Sequence, residues 1–192
     1  MQAPKKEPAI LFIFGGSGDL TYRKLMPALY NLFLDKYLPE QFRIISIGRS
    51  DFSNTTYRNY IKKGIAEHSR RKDCLKIAWK EFSELIEYYK ADLESEKTYR
   101  SIASYVKDYE DQWKAKATEI YYMSIAPQLA PTVAERLHSA KLMKLKTGSG
   151  NTGVRPTCSA TDQAFLNFFS VNIFPYESDC TWIQLVASCN MI

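Results

Sequence analysis

The sequence predicts an α/β protein: a doubly wound parallel sheet, incomplete, followed by an irregular C-terminal tail. Three features lead there. Short apolar runs of strand length alternate with amphipathic helical stretches as far as Leu142. The first run stops at a glycine cluster that opens straight into a helical stretch. Beyond Lys146 both periodicities fail, and composition changes with them.

Ala9-Ile-Leu-Phe-Ile-Phe14 is a continuous run of β-formers, as suits a parallel strand buried on both faces. After Gly15-Gly-Ser-Gly-Asp-Leu20 comes a stripe of Leu25, Ala28, Leu29, Leu32 and Phe33 at helical spacing. Pro27 is uncomfortable in a helix interior, so the helix proper is expected to start there, with the proline in its first turn. Phe42–Ile47 reads as the second strand, ending at Gly48-Arg49-Ser50. Tyr57, Tyr60, Ile61 and Ile65 mark a helix from Thr55 to about Ser69, followed by a second helical stretch over Leu75–Leu85. Ile86–Lys90 is the third strand. Glu96–Lys107 is a helix facing inward with Tyr99, Ile102, Ala103 and Val106. Glu119–Ile125 is the fourth strand, closed by Ala126-Pro127, and Pro131–Leu142 a last helix. Strands alternating with helices imply right-handed crossovers and a Rossmann-like sheet covered on both sides.

Residues 147–192 differ. Residues 1–146 hold 25 Lys/Arg and 18 Asp/Glu, whereas the tail holds only Arg155 against Asp162, Glu177 and Asp179. The tail also carries three of the four cysteines, Cys158, Cys180 and Cys189, with Cys74 outside it. Thr147–Gly153 reads as a loop, and Ala164–Phe169, Val171–Phe174 and Thr181–Val186 as scattered strand-like pieces without helices between them. Two units follow: residues 1–146, a Rossmann-like domain, and residues 147–192, an atypical tail.

Composition narrows the function. At 45% hydrophobic and 24% charged the chain falls in the soluble globular range. No apolar run approaches the length needed to cross a membrane, and the first apolar run is too short for a signal-peptide core. A cytosolic location is the expectation. The cysteines form no CxxC pair and no zinc spacing, so no metal site is expected. A net charge of +5 mildly favours anions. Arg70-Arg-Lys72 is better read as a solvated helix end than as a nucleic-acid contact, which would bring a steep salt dependence.

The glycine loop carries the chemistry. Phosphate binding needs main chain free of side-chain bulk and benefits from a helix N-terminus. Gly15, Gly16 and Gly18 supply bare amides, Ser17 a hydroxyl, and Asp19 a carboxylate suited to loop amides. The spacing is Gly-Gly-x-Gly-Asp-Leu rather than GxGxxG, with Leu20 where a third glycine would stand. At the end of the second strand an acid would favour a ribose 2′-hydroxyl, whereas an arginine suits a 2′-phosphate. Arg49 fits the latter, with Ser50 as a helper; the alternative is a solvated arginine, and Asp51 weighs against the phosphate.

Phe14-Gly-Gly-Ser-Gly-Asp-Leu-Thr-Tyr-Arg-Lys-Leu-Met-Pro-Ala-Leu-Tyr30 resembles the N-terminal signature of the glucose-6-phosphate dehydrogenases, with Thr21 and Tyr22 in place of Ala-Lys. Gly48-Arg49-Ser50, Tyr88-Tyr-Lys-Ala-Asp92 and Tyr121-Tyr-Met-Ser-Ile-Ala-Pro127 are similar too, in family order over about residues 8–142. The resemblance implies an NADP-binding domain. Gly15 to Tyr22 would wrap the pyrophosphate, and Arg49 would recognise the 2′-phosphate. Tyr88 with Ala91 and Asp92 would lie near the adenosine or ribose, and Ile125, Ala126 and Pro127 beside the nicotinamide. It also implies oxidation of glucose 6-phosphate by hydride transfer, with a histidine as base.

The family's Arg-Ile-Asp-His-Tyr-Leu-Gly and Glu-Lys-Pro-Phe-Gly runs are absent, as is its substrate and dimer domain. His68 and His138 lack a preceding aspartate, so no catalytic residue is assigned. A frameshifted or mis-spliced tail is the preferred explanation, ahead of a truncated relative that binds NADP(H) without turnover and of new chemistry in the tail. The 192-residue chain alone is expected to be inactive.

Overall fold

The structure, a computed structural model, describes residues 7–71 and 75–143 and the backbone strand at 185–188. Its centre is a sheet of β1 (Ala9–Phe14), β2 (Phe42–Gly48), β3 (Ile86–Lys90), β4 (Thr118–Met123) and β5 (Leu185–Ser188), in the order β3-β2-β1-β4-β5. The first four are mutually parallel. Parallel neighbours require crossovers, and the intervening segments are long enough to be helices, as the alternating pattern predicts.

Helices α1 (Met26–Leu34), α2 (Asn54–His68) and α3 (Leu75–Glu84) cover one face; α4 (Glu96–Trp113) and α5 (Ala130–Ser139) cover the other. Strand alternation divides the core accordingly. Ala9, Leu11 and Ile13 of β1 join Leu29, Tyr57 and Ile61 on the first face. Ile10, Phe12 and Phe14 join Tyr99, Ile102 and Leu137 on the second. A strand apolar at every position is thus apolar for two different partners, which fixes β1 at the centre.

Several boundaries depart from expectation. The first helix does not begin at Pro27: helical backbone starts at Asp19 and passes through a π-helical turn, Thr21–Leu25, into α1. Met26 N–H reaches back five residues to the Thr21 carbonyl. This wide turn makes room where the proline ring would meet the preceding turn and where its missing N–H leaves a carbonyl unclaimed. Helix α4 runs on to Trp113 because Tyr109 extends the buried stripe. Strand β4 ends at Met123, two residues short of the expected limit, and a 3-10 turn, Pro127–Leu129, leads into α5, which closes at Ser139.

In the tail, β5 pairs antiparallel with β4 and overlaps the strand-like piece at Thr181–Val186. The loop at Thr147–Gly153, the pieces at Ala164–Phe169 and Val171–Phe174, and all four cysteines lie outside the described residues.

Candidate cofactor-binding site

The strand order reverses between β1 and β4, and the loops after their carboxyl ends diverge there. At Gly15 the chain turns with φ +87°, and a Cβ would stand 2.0 Å from the Ser124 carbonyl oxygen, so the residue must lack a side chain. A Cβ on Gly16 would likewise press on Ser46 at 2.6 Å. Bare amides on the three glycines, however, are not what the turn offers. Gly15 and Gly16 N–H both donate to the Ile47 carbonyl (2.9 and 2.8 Å), and Gly18 N–H donates to the Gly15 carbonyl (2.9 Å). The glycines buy close approach; the donors are elsewhere. Among the described residues no protein acceptor takes the N–H groups of Ser17, Asp19 and Leu20. The last two lie in the first helical turn, where N–H groups are unpaired and the helix dipole is positive.

Ser17 faces the second wall, at the end of β2. Ser50 Oγ donates to Ser17 Oγ (2.9 Å), and the Tyr88 hydroxyl donates to the Ser50 carbonyl (3.0 Å). Arg49 is exposed on this wall. No carboxylate pairs with it among the described residues. Neighbouring Asp51, by contrast, accepts from Lys90 Nζ at 2.9 Å, and that hydrogen bond holds its carboxyl below the usual carboxylate range. The expected objection from Asp51 is thereby weakened.

Asp92, Leu93 and Glu94 form a third wall beyond β3, and Ser124, Ile125, Ala126 and Leu129 a fourth beyond β4. Asp92 Oδ1 accepts from the Glu94 N–H (3.0 Å), and its carbonyl accepts from Thr98 Oγ1 (2.6 Å), which fixes the turn into α4. Together the walls enclose a cleft of about 700 Å³, a size common for small-molecule sites.

Of the sequence-predicted residues, Gly15, Ser17, Gly18, Arg49, Ser50, Asp92, Ile125 and Ala126 line this cleft. Gly16 is buried beneath it, and Ala91 is buried with its N–H on the Gly48 carbonyl (2.9 Å). Tyr88 stands behind Ser50, and Pro127 opens the 3-10 turn beside Ala126. Asp19 does not hold the loop amides as expected; its carboxylate turns outward to Arg23 at 3.4 Å. Three others face away. Leu20 packs on the core beneath α1 and α2, and Thr21 is fully buried with its hydroxyl on the Gly15 carbonyl and Ser124 Oγ (both 3.1 Å). Tyr22 packs against Tyr60, the rings tilted and 4.6 Å apart, and donates to Glu67 (3.0 Å).

Sequence reasoning missed Leu93, Glu94, Ser124 and Leu129. Ser124 was findable, because it directly follows β4, and ligands of open α/β sheets gather at the carboxyl ends flanking the reversal of strand order. The other three depend on how the next segments fold back, which spacing does not encode. Neither histidine lines the cleft: His68 ends α2 against Tyr22 (5.8 Å between rings), and His138 is exposed on α5.

A doubly wound sheet with a glycine turn leading into a helix at its switch point defines a dinucleotide-binding α/β domain. The family model "Glucose-6-phosphate dehydrogenase, NAD binding domain" matches residues 12–151. Curated relatives agree. The glucose-6-phosphate 1-dehydrogenase of Chlamydia pneumoniae is 31% identical over 135 residues, covering 70% of this chain and 26% of the relative. That of Treponema pallidum (strain Nichols) is 32% identical over 130 residues, covering 68% and 25%. A solved glucose-6-phosphate dehydrogenase in complex with its substrate glucose-6-phosphate superposes with a TM-score of 0.64 at 26% identity, over 78% of this chain and 30% of that one. The chain belongs to the glucose-6-phosphate dehydrogenase family and spans about a quarter of the length of these curated relatives. Its cofactor class is a pyridine dinucleotide.

Proposed function

We propose that this domain binds NADP(H) and serves the oxidation of glucose 6-phosphate to 6-phosphogluconolactone in the oxidative pentose phosphate route. One observation underlies the choice of nucleotide: Arg49 is exposed on the cleft wall without a carboxylate partner among the described residues, while Asp51 is engaged by Lys90. A guanidinium left in that state is matched to a 2′-phosphate, with which it makes charge-assisted, paired hydrogen bonds. In this reading the main chain from Gly15 to Tyr22 wraps the diphosphate, with Ser17, Asp19 and Leu20 supplying the N–H groups. Tyr88, Ala91 and Asp92 border the adenosine ribose, and Ala126 and Pro127 lie beside the nicotinamide. The bound nicotinamide supplies the hydride acceptor; everything this chain contributes is binding, orientation and the charge at position 49. We place the protein in the cytosol; among the described residues no helix is long and apolar enough to cross a membrane. A homo-oligomer is the assembly that the family resemblance implies, through a dimer domain that is not among these 192 residues.

A second reading, NADP(H) held without turnover by this 192-residue chain, is favoured by the position of its two histidines. Neither lines the cleft, and neither follows an aspartate.

Fluorescence titration of the chain with NADPH and NADH tests the cofactor assignment. Saturable binding with NADPH preferred is expected. Arg49→Asp should weaken NADPH about 10- to 100-fold, corresponding to a charge-assisted hydrogen bond of about 1.5–3 kcal/mol, and leave NADH little changed. An unaltered preference between the two nucleotides would remove the assignment.

A further inference from the structure

Three phenol groups behind the cleft each hold a main-chain carbonyl of its phosphate-side loops. The Tyr57 hydroxyl donates to the Gly16 carbonyl at 2.7 Å, the Tyr60 hydroxyl to the Ser17 carbonyl at 3.3 Å, and the Tyr88 hydroxyl to the Ser50 carbonyl at 3.0 Å. Tyr57 and Tyr60 come from the first turns of α2, and Tyr88 from β3. Tyr57 and Tyr88 pack ring against ring at 4.5 Å, and Phe52 touches Tyr57, Tyr60 and Tyr88 at 5.3 to 5.7 Å. The rings therefore support one another as well as the loops.

The direction of these bonds matters. All described peptide bonds are trans, and in a trans peptide the C=O and the following N–H point in opposite directions. A hydroxyl that pulls the Gly16 carbonyl toward the core accordingly turns the Ser17 N–H away from it. Gly16 and Tyr57 are buried, whereas Ser17 lines the cleft, and its N–H has no protein acceptor among the described residues. Burial also pushes the Tyr57 phenol far above its ordinary range, so it keeps the proton that it donates to the Gly16 carbonyl.

We infer that Tyr57 is a positioning residue: its hydroxyl, through the Gly16 carbonyl, aims the Ser17 amide at the diphosphate of the bound nucleotide, with Tyr60 reinforcing the next peptide unit. The inference rests on the cofactor reading above and adds to it a residue outside the cleft. It separates two parts of the ligand. The diphosphate depends on Tyr57, and the 2′-phosphate on Arg49.

The test compares NADP+ with 2′-AMP, which carries the 2′-phosphate but no diphosphate, on the full chain and on Tyr57→Phe. NADP+ should bind Tyr57→Phe about fivefold to tenfold more weakly, the range expected for one lost hydrogen bond, while 2′-AMP affinity is unchanged. A purely structural role for Tyr57 would weaken both ligands equally, and that result, or undiminished NADP+ binding, would overturn the inference. Should Tyr57→Phe not fold, amide chemical shifts of the unaltered chain serve instead: the Ser17 N–H signal should move on titration with NADP+ and stay in place with 2′-AMP, and a Ser17 signal indifferent to NADP+ would overturn the inference. Failure of the unaltered chain to bind NADP+ would instead defeat the cofactor reading itself.

Discussion

Gly15 combines a left-handed backbone with a neighbour that leaves no room for a side chain, the Ser124 carbonyl. Gly15→Ala is therefore expected to destabilise the domain by about 3 kcal/mol, from strained φ together with a backbone clash that no rotamer can relieve. Urea unfolding of the variant against the parent measures this. The glycine spacing made this turn legible in the sequence, and so did the arginine at the end of β2. What could not be read was the use of the amides. Whether Gly16 N–H points at a ligand or at Ile47 is decided by a carbonyl 31 residues away, and sequence spacing has no means of registering that partner. Similarly, Thr21 and Tyr22 follow the signature without their side chains reaching the cleft, because the helix starting at Asp19 rotates these onto α2 and the sheet.

At the level of elements, α2 shows how local chemistry serves the site. Ser53 caps it: Ser53 Oγ accepts from Thr56 N–H (3.1 Å), and Thr56 Oγ1 accepts in return from Ser53 N–H (2.8 Å). The first two turns carry Tyr57 and Tyr60 toward the glycine loop. Ser53→Ala should cost about 1 kcal/mol of stability by thermal unfolding, the usual worth of a cap. Strands and helix faces were legible because each depends on a short-range period. The first helix was not, since Pro27 signalled a start where the structure has a continuation. A π turn is a rearrangement of hydrogen bonds over several residues, and only the packing of Leu25, Met26 and Leu29 into the core shows that the helix has reason to continue through it.

For the molecule as a whole, the two-faced sheet followed from the uninterrupted apolar character of β1, whereas the antiparallel placement of β5 left no mark in the tail's composition. One buried charge sets a pH dependence for the entire fold. Glu119 at the start of β4 is 8% exposed and accepts from the Tyr121 hydroxyl; burial is the main cause of its raised carboxyl pKa. With the folded-state value above the unfolded one, the stabilisation is complete below the ordinary glutamate range and is lost as pH rises through the folded-state value. Glu119→Gln, which keeps an acceptor for Tyr121 and removes the charge, should therefore raise the melting temperature near pH 7 and lose this advantage near pH 4. Melting curves across that interval check it.

The order β3-β2-β1-β4 has a final implication. Winding proceeds outward from β1 in one direction, then returns to its other side, so the connections on either side of that seam leave in opposite senses and cannot meet. The recess is drawn by the path of the chain before any side chain is chosen. Substitution can retune what it admits, but closing it would take a different topology, and a seam of that kind can persist among relatives that have exchanged two residues in three.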